Sequence, residues 1–178
     1  MRAPTLVSMR AVTELFQFPN PVNEKAARVV AGGVAVLTLL TLLTGWSWLI
    51  VLLAVGFAAR VLAGPRFSAL GQLATRVIAP RLGPAKLVPG PPKRFAQGIG
   101  LAVTTLAAVL ALGFGATTVA TALMVVLLCF ALLESVVGFC AGCWMFGLLM
   151  KAGVIPEDTC EACNNIWTRY GDPVRVKG

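Results

Sequence analysis

Four of the five cysteines in this chain form two Cys-x-x-Cys pairs, which are the residues whose spacing most clearly predicts chemistry. The pairs are Cys140 with Cys143 and Cys160 with Cys163, and sixteen residues separate them. Cysteines three positions apart lie on one face of a helix and can close a small disulfide. Thiols at a helix N-terminus have lowered pKa values and react as thiolates. The two pairs therefore predict either reversible thiol chemistry or a metal site.

Two interpretations of these four cysteines compete. Their spacing fits a four-thiolate zinc site, which needs no histidine and would fasten the C-terminal tail to the preceding helix; the chain contains no histidine. However, Cys140 and Cys143 lie in an apolar stretch beside Trp144 and Phe146, where two thiolates are costly without the metal. A thiol–disulfide or sulfane-sulfur relay, in which the second pair passes electrons or sulfur to the first, accounts better for this apolar context. No cofactor is certain, and zinc is the alternative.

Glu134 lies deep in the apolar run that precedes the first cysteine pair. A carboxylate at the bilayer centre costs on the order of 3 kcal/mol on insertion scales. A helix that starts near Ala116 would bring Glu134 to the inner interface after about 20 residues, where it can simply be solvated. It can also be a proton-linked carboxylate beside the thiols, or the partner of Arg28 or Arg60. We therefore group Glu134 with the four cysteines as a candidate catalytic residue.

Other polar residues in the apolar runs have structural explanations. Cys129 is expected to be a small packing residue, because a buried free cysteine behaves as a hydrophobe. Arg28 and Arg60 lie near the inner ends of predicted helices, and both can snorkel to the lipid headgroups.

The composition indicates which elements must position these residues. The chain is 58% hydrophobic and 12% charged, about half the charged fraction of a soluble domain. Backbone groups in hydrocarbon must be satisfied within their own segment, so long apolar runs predict helices. The sequence predicts an all-α integral membrane protein with four transmembrane helices in two hairpins, over residues 26–44, 46–63, 98–114 and 116–137. Residues 138–150 can form a separate interfacial helix if Gly138 and Gly142 break the fourth run. Its body would be residues 144–150, with the first cysteine pair at its N-terminus.

The distribution of charge predicts the orientation. The fifteen Lys and Arg residues fall into three blocks, and neither hairpin turn carries any charge. Because cytoplasmic loops collect Lys and Arg, we expect a multi-pass plasma-membrane protein with both termini in the cytoplasm. The net charge of +8 then faces anionic membrane lipid. Nucleic acid is not an expected partner, since the basic residues show no binding motif.

The segments outside the membrane are expected to be short. Residues 1–25 are amphipathic and predict a helix on the inner surface, with Asn20 or Asn23 capping the first membrane helix and Pro21 at its first position. The cytoplasmic loop 64–97 combines a short amphipathic interfacial helix with an extended proline-rich stretch, residues 80–92. Residues 151–178 form a cytoplasmic tail that carries the second cysteine pair. The apolar positions of the loop helix are Phe67, Leu70, Leu73, Val77 and Ile78.

Two short motifs resemble those of a known family. The motif FCxGC at residues 139–143, together with NPVNE at residues 20–24, is similar to an actinobacterial membrane family known only as a domain of unknown function. The resemblance covers roughly residues 18–165. Genes of that family often lie beside genes for thioredoxin-like proteins and sulfurtransferases, which implies thiol or sulfane-sulfur traffic with a soluble partner of one of these kinds. It implies no catalytic residues.

Other functional classes remain open beside a thiol–disulfide oxidoreductase or sulfur-relay component. Two hairpins of the same direction can be the parallel repeats of a small transporter, and a scaffold or accessory subunit can dock a soluble partner on the basic face. A homo-oligomer is also open, because small residues permit close helix contacts within or between subunits. These residues are Gly32, Gly33, Gly98 and Gly100. Hydrolase chemistry is disfavoured, since without histidine and with one intramembrane carboxylate no triad or carboxylate pair can be built.

Overall fold

The computed structural model describes residues 18–156 and residue 159, and this part of the chain is almost entirely helical. A 3₁₀ turn at Gly64–Arg66 and a three-residue helix at Ala79–Arg81 are not numbered. Six longer helices follow one another along the described residues. They are α1 (Glu24–Thr44), α2 (Trp48–Ala63), α3 (Ala69–Leu73), α4 (Gly90–Ala108), α5 (Thr117–Leu132) and α6 (Ala141–Lys151). Turns of π-helix extend three of them, at Ala74–Ile78 after α3, Val109–Gly113 after α4 and Leu133–Val137 after α5.

Four helical segments are long and apolar enough to cross a membrane. They are Glu24–Thr44, Trp48–Arg81, Gly90–Gly113 and Thr117–Val137. Their outward faces expose large apolar side chains, including Leu43, Val55, Leu112, Val119 and Val136, as expected where the neighbouring solvent is lipid rather than water. These segments are consistent with the predicted multi-pass membrane protein.

The bundle packs mainly across the two hairpins rather than within them. The most extensive contacts join α2 to α4 and α1 to α5. Thr38 and Thr104 are fully buried, and each hydroxyl donates a hydrogen bond to the carbonyl four residues earlier, so neither is left unsatisfied in the apolar interior. The shared core consists of Val34, Ala35, Ile50, Leu53, Phe57, Ala107, Ala120, Met124, Leu127 and Ala131.

The third membrane helix begins eight residues earlier than the sequence predicts, at Gly90 instead of residue 98. Pro91 and Pro92 lie in its first turn, where a missing N–H removes no helical hydrogen bond, and the Asn20 side chain accepts a hydrogen bond from the Gly90 N–H at 3.0 Å. The prediction of an extended stretch over residues 80–92 was therefore wrong at both ends, since Pro80 and Arg81 lie in the short helix Ala79–Arg81. Lys93 is therefore a helical residue, and it is buried.

The chain before α1 also differs from the prediction. Asn23 caps α1, accepting a hydrogen bond from the Lys25 N–H at 3.0 Å, but Pro21 lies before the helix after a cis peptide bond and is not its first residue. Val22–Asn23 forms a two-residue strand, β1, paired antiparallel with β2 (Leu87–Val88). Strands this short leave no alternating pattern that a sequence could reveal. The helix predicted within residues 1–25 falls mostly on residues 1–17, outside the described part.

Two further predictions about the helices need correction. The second helix begins at Trp48 rather than residue 46, and Trp46 lies in the turn, its ring stacked on that of Trp48 at 6.1 Å between centroids. The predicted helix in the cytoplasmic loop is present as α3, but it places small residues such as Gly71 and Ala74 against the bundle, while Leu73 is exposed.

Three of the four glycines proposed as contact points are used within the chain. A Cβ on Gly32 would lie 2.9 Å from the Ser135 hydroxyl oxygen, and one on Gly33 or Gly100 would overlap Leu70 or Phe57. A Cβ on Gly98 would meet nothing within 4 Å. The close approaches therefore explain the packing of one subunit, and the homo-oligomer stays a prediction.

Candidate functional site

The long fourth apolar run is divided at Gly138. This residue has φ of +80° and ends the helical path of α5, a backbone conformation that glycine adopts without steric cost. The chain then turns, and α6 begins at Ala141. The separate helix was predicted to have its body at residues 144–150, with Gly142 as a breaker. The observed helix begins three residues earlier, at Ala141. Gly142 lies inside its first turn, and Cys140 becomes the N-cap residue.

Cys140 is held at the N-terminus of α6 by its own hydrogen bond. Its Sγ accepts the backbone N–H of Cys143 at 3.3 Å, as the side-chain oxygen of an N-cap serine accepts an N–H of the first turn. Both cysteines are half-buried and reduced. The two thiols thus lie within the first turn of α6, and the Cys140 sulfur faces the positive end of the helix dipole.

The pKa values of the two thiols are shifted in opposite directions from that of an ordinary cysteine. The Cys143 thiol donates a hydrogen bond to the Cys140 sulfur, which lowers the pKa of Cys140. The same hydrogen bond, together with burial, raises the pKa of Cys143. Of the two thiols, Cys140 is therefore the one favoured to ionise first.

A buried ion pair lies within electrostatic reach of both thiols. Lys93 Nζ of α4 is 2.6 Å from Glu134 Oε1 in the π-helical turn after α5, and the two side chains are only 10% and 15% exposed. The charge of Glu134 raises the pKa of Cys140, and the charge of Lys93 lowers it. Glu134 thus lies near the thiols, as predicted, but its partner is Lys93, and the prediction of Arg28 or Arg60 as partner was wrong.

The two arginines have other contacts. Arg28 donates hydrogen bonds to the carbonyl oxygens of Ser135 and Val136 at 3.1 and 2.6 Å, where α5 ends and its carbonyls lack helical donors. It thereby fixes the chain just before Gly138. Arg60 is 5% exposed and lies inside the bundle, so the prediction that it snorkels to the headgroups was wrong.

Cys129 does not fill the core. Its side chain is exposed on the outer surface of α5, one turn or more before Glu134. The prediction of a packing residue was wrong, because the apolar run is uniform in hydropathy and does not reveal which of its faces turns inward.

A cavity of about 110 Å³ borders the site between α1, α4, α5 and α6. Its lining is mostly apolar, with polar side chains from Gln97, Glu134 and Cys140. A space of this size accepts a few water molecules or a small sulfur compound. Cys140 is therefore adjacent to a compartment within the bundle.

Cys160 and Cys163, which the zinc alternative requires, fall outside the described residues. Within residues 18–156 and residue 159, no three Cys, Asp or Glu side chains are grouped closely enough to hold a metal. Cys140 and Cys143 could contribute two thiolates to a zinc site only with ligands from the rest of the chain.

A family model matches residues 22–151 and is described as DUF4395, a domain of unknown function. The chain belongs to this family. The DUF4395 domain includes Lys93, Glu134, Cys140 and Cys143, and it ends with the last residue of α6; the second cysteine pair follows it. No curated protein and no solved structure matches the chain.

Gly142 allows the thiol-bearing helix to approach α4, and this leads to a stability prediction. A Cβ at Gly142 would lie 2.6 Å from the Ala96 Cα, so Gly142→Ala must displace α6 from α4. We expect a loss of about 1–3 kcal/mol, the usual cost of overpacking, measured by thermal unfolding in detergent.

Gly147→Ala in the same helix is the matched control, because a Cβ there meets nothing within 4 Å. It should be neutral or slightly stabilising, since alanine favours a helix more than glycine does. Equal melting temperatures for the two variants would contradict the close packing of α6 on α4.

Proposed function

We propose that the DUF4395 protein is a thiol–disulfide or sulfane-sulfur relay whose reactive dithiol is Cys140 and Cys143. The observation that carries this proposal is the position of Cys140 as N-cap of α6, with its sulfur accepting the Cys143 N–H. Reversible thiol–disulfide exchange requires at least an acidic thiol and a second thiol about one turn away, since the first attacks the substrate and the second resolves the mixed disulfide.

The exchange step is a transfer of two electrons. The Cys140 thiolate attacks one sulfur of a disulfide in a thioredoxin-like protein, forming a mixed disulfide and releasing the other partner sulfur as a thiolate. Cys143 then loses its proton and attacks the Cys140 sulfur, which releases the second partner thiolate and leaves a Cys140–Cys143 disulfide. The chain's dithiol is oxidised and the partner disulfide is reduced, and the reverse sequence regenerates the dithiol.

Sulfane sulfur is transferred to the same nucleophile, the Cys140 thiolate. The Cys140 thiolate attacks the outer sulfur of thiosulfate, sulfite leaves, and Cys140 carries a persulfide. Attack by Cys143 on the Cys140 sulfur expels hydrosulfide and closes the disulfide, which a thioredoxin-like dithiol reduces. A sulfurtransferase is the soluble partner that suits this route, and we assign Cys160 and Cys163 the role of relay or resolving pair.

We assign Glu134 the role of accepting the proton that Cys143 loses. Its charge acts on both thiols, and Lys93 holds it in position at 2.6 Å. A carboxylate within electrostatic reach of a thiol of raised pKa can accept its proton through one intervening water at the moment when Cys143 becomes a nucleophile. Glu134 is thus a proton acceptor in this proposal, and Lys93 is a positioning residue.

The proposed setting is the plasma membrane, with both termini and the cysteines on the cytoplasmic side. The one-sided distribution of Lys and Arg supports this orientation. The stacked, exposed Trp46 and Trp48 at an uncharged turn suit the aromatic belt that forms at either membrane interface. In a cysteine-free background, an impermeant maleimide applied to intact cells should label a cysteine at position 45 and not one at position 83. The opposite labelling would reverse the orientation.

A redox titration tests the proposed function. With Cys160 and Cys163 changed to Ser, the detergent-solubilised protein is equilibrated with reduced and oxidised dithiothreitol, and free thiols are counted by mass after maleimide labelling. We expect a two-electron transition in which Cys140 and Cys143 lose their thiols together.

The single variant Cys143→Ser is expected to remove that transition, and Cys129→Ser is expected to leave it unchanged. A protein whose Cys140 and Cys143 stay reduced across the whole range of potentials, or one in which Cys129→Ser alone abolishes the transition, would contradict the proposal.

A further inference from the structure

Arg60 is a buried cation of α2 whose contacts leave one nitrogen without a partner. Its Nε donates a hydrogen bond to Gln97 Oε1 at 2.7 Å, and its Nη1 donates one to Ser68 Oγ at 3.2 Å. The guanidinium carbon lies 4.5 Å from the centroid of the Phe57 ring. Nη2 is buried and has no hydrogen-bond partner among the described residues. A buried N–H without an acceptor is rare and costly.

The charge of Arg60 is also without a counter-charge in the described part of the chain. The carboxylates there are Glu24, whose partner is Lys86, and Glu134, whose partner is Lys93. Both are therefore engaged, and the contacts of Arg60 are a neutral amide, a hydroxyl and an aromatic ring. A buried cation that lacks a carboxylate is stabilised when an anion accompanies it.

The space beside Arg60 has the size for such an anion. A cavity of about 50 Å³ lies between α1, α2, α3 and α4, and Arg60, Lys93 and Gln97 line it. That volume accommodates about three or four water-sized spheres, which is enough for one small ion with accompanying water. Two cationic side chains and an amide at one cavity form the donor set that an inorganic anion requires.

We propose that this cavity binds a small inorganic anion of the size of chloride or hydrosulfide, which supplies the counter-charge that Arg60 lacks among the described residues. The site is distinct from the thiol pair, although Gln97 lines both cavities, and it does not depend on the redox function. The same negative charge could come from a lipid phosphate, so the test must separate a free ion from a headgroup.

Thermal unfolding in detergent tests the proposal, monitored by tryptophan fluorescence. All five cysteines of the protein are changed to Ala, at positions 129, 140, 143, 160 and 163, so that thiol reactions do not contribute and failure of the redox proposal cannot affect the result. Chloride and hydrosulfide are titrated separately at constant ionic strength, with gluconate as the replacing anion, and phosphatidylglycerol is titrated in a parallel series. We expect a saturable rise of the melting temperature with chloride or hydrosulfide.

Arg60→Gln is expected to weaken the apparent affinity by about ten- to a hundred-fold, as removal of a hydrogen bond to a charged group does. Arg94→Gln is the matched control, since it removes the same charge from an exposed residue whose Nε contacts the Val61 carbonyl. If Arg60→Gln does not fold, line broadening of the chloride NMR signal by the Cys-to-Ala protein, reversed by hydrosulfide, gives the same answer.

Saturation in the background protein and in Arg94→Gln, with loss in Arg60→Gln, supports the site. No saturable response and no chloride line broadening, an equal response in Arg60→Gln, or a response to phosphatidylglycerol alone would overturn it.

Discussion

At pH 7, Cys140 is expected to react with iodoacetamide on the order of a hundred-fold faster than Cys143, because only the thiolate is nucleophilic and each pKa unit changes its fraction tenfold. Hydrogen bonds from the Cys143 thiol and backbone N–H favour the Cys140 thiolate, whereas the same contact and burial keep Cys143 protonated. Peptide mass spectrometry after brief labelling of reduced protein measures the two rates separately.

The pH dependence of this labelling has a definite sign. A lowered pKa means that the Cys140 rate rises with pH and reaches its plateau at a lower pH than an ordinary thiol does. Cys143→Ala removes a donor to the Cys140 sulfur and should shift the profile to higher pH. Cys143→Ser keeps a hydroxyl donor and should shift it less. Equal rates for the two cysteines, or a faster Cys143, would contradict the assignment of Cys140 as nucleophile.

Removing one member of the Lys93–Glu134 pair is expected to have the largest effect on stability. Lys93→Met leaves a carboxylate that is 15% exposed without its cation, and Glu134→Gln leaves an ammonium that is 10% exposed without its anion. Breaking a buried pair in this way costs about 3–5 kcal/mol. The double variant should recover most of the loss, because neither charge then remains buried. Thermal or denaturant unfolding of the four proteins in detergent gives the coupling energy.

A second ion pair supplies the control for this cycle. Lys86 Nζ lies 2.8 Å from Glu24 Oε2, and the two side chains are 68% and 14% exposed. Lys86→Met should cost less than Lys93→Met, because the pair is partly open to solvent and Glu24, in the first turn of α1, remains stabilised by the helix dipole. The Cys140 labelling profile gives an independent reading: Glu134→Gln should move it to lower pH and Lys93→Met to higher pH. A Lys93→Met variant as stable as Lys86→Met, or one without coupling to Glu134→Gln, would contradict a structural ion pair at the site.

Hydropathy and glycine position were sufficient to predict the framework of this fold. Four apolar runs predicted the four helices that are long and apolar enough to cross a membrane, because a helix is the form in which a single segment satisfies its own backbone groups in lipid. The excess length of the fourth run pointed to a break, and Gly138, with its positive φ, lies at that break. The consequence that sequence reasoning missed is the start of α6 at Ala141, which makes Cys140 the cap.

The ion pair could not be predicted in the same way. Lys93 follows two prolines in a proline-rich stretch that reads as a loop, although a Gly-Pro-Pro start is also compatible with the first turn of a helix. Partner choice depends on which helices are neighbours, and the packing of α4 against α5 and α6 is a tertiary property. The burial of Arg60 was missed for the same reason, since periodicity within an almost uniformly apolar run does not identify its inner face.

The central claim is that Cys140 and Cys143 form a redox-active dithiol rather than half of a zinc site. The most direct measurement combines metal analysis with thiol counting on full-length protein purified without reductant. A redox-active pair predicts protein without stoichiometric metal, in which two thiols, assigned to Cys140 and Cys143 by mass spectrometry, are lost on oxidation and recovered on reduction. Near one zinc per chain, with the thiols of both pairs protected from labelling until the metal is chelated, would contradict it.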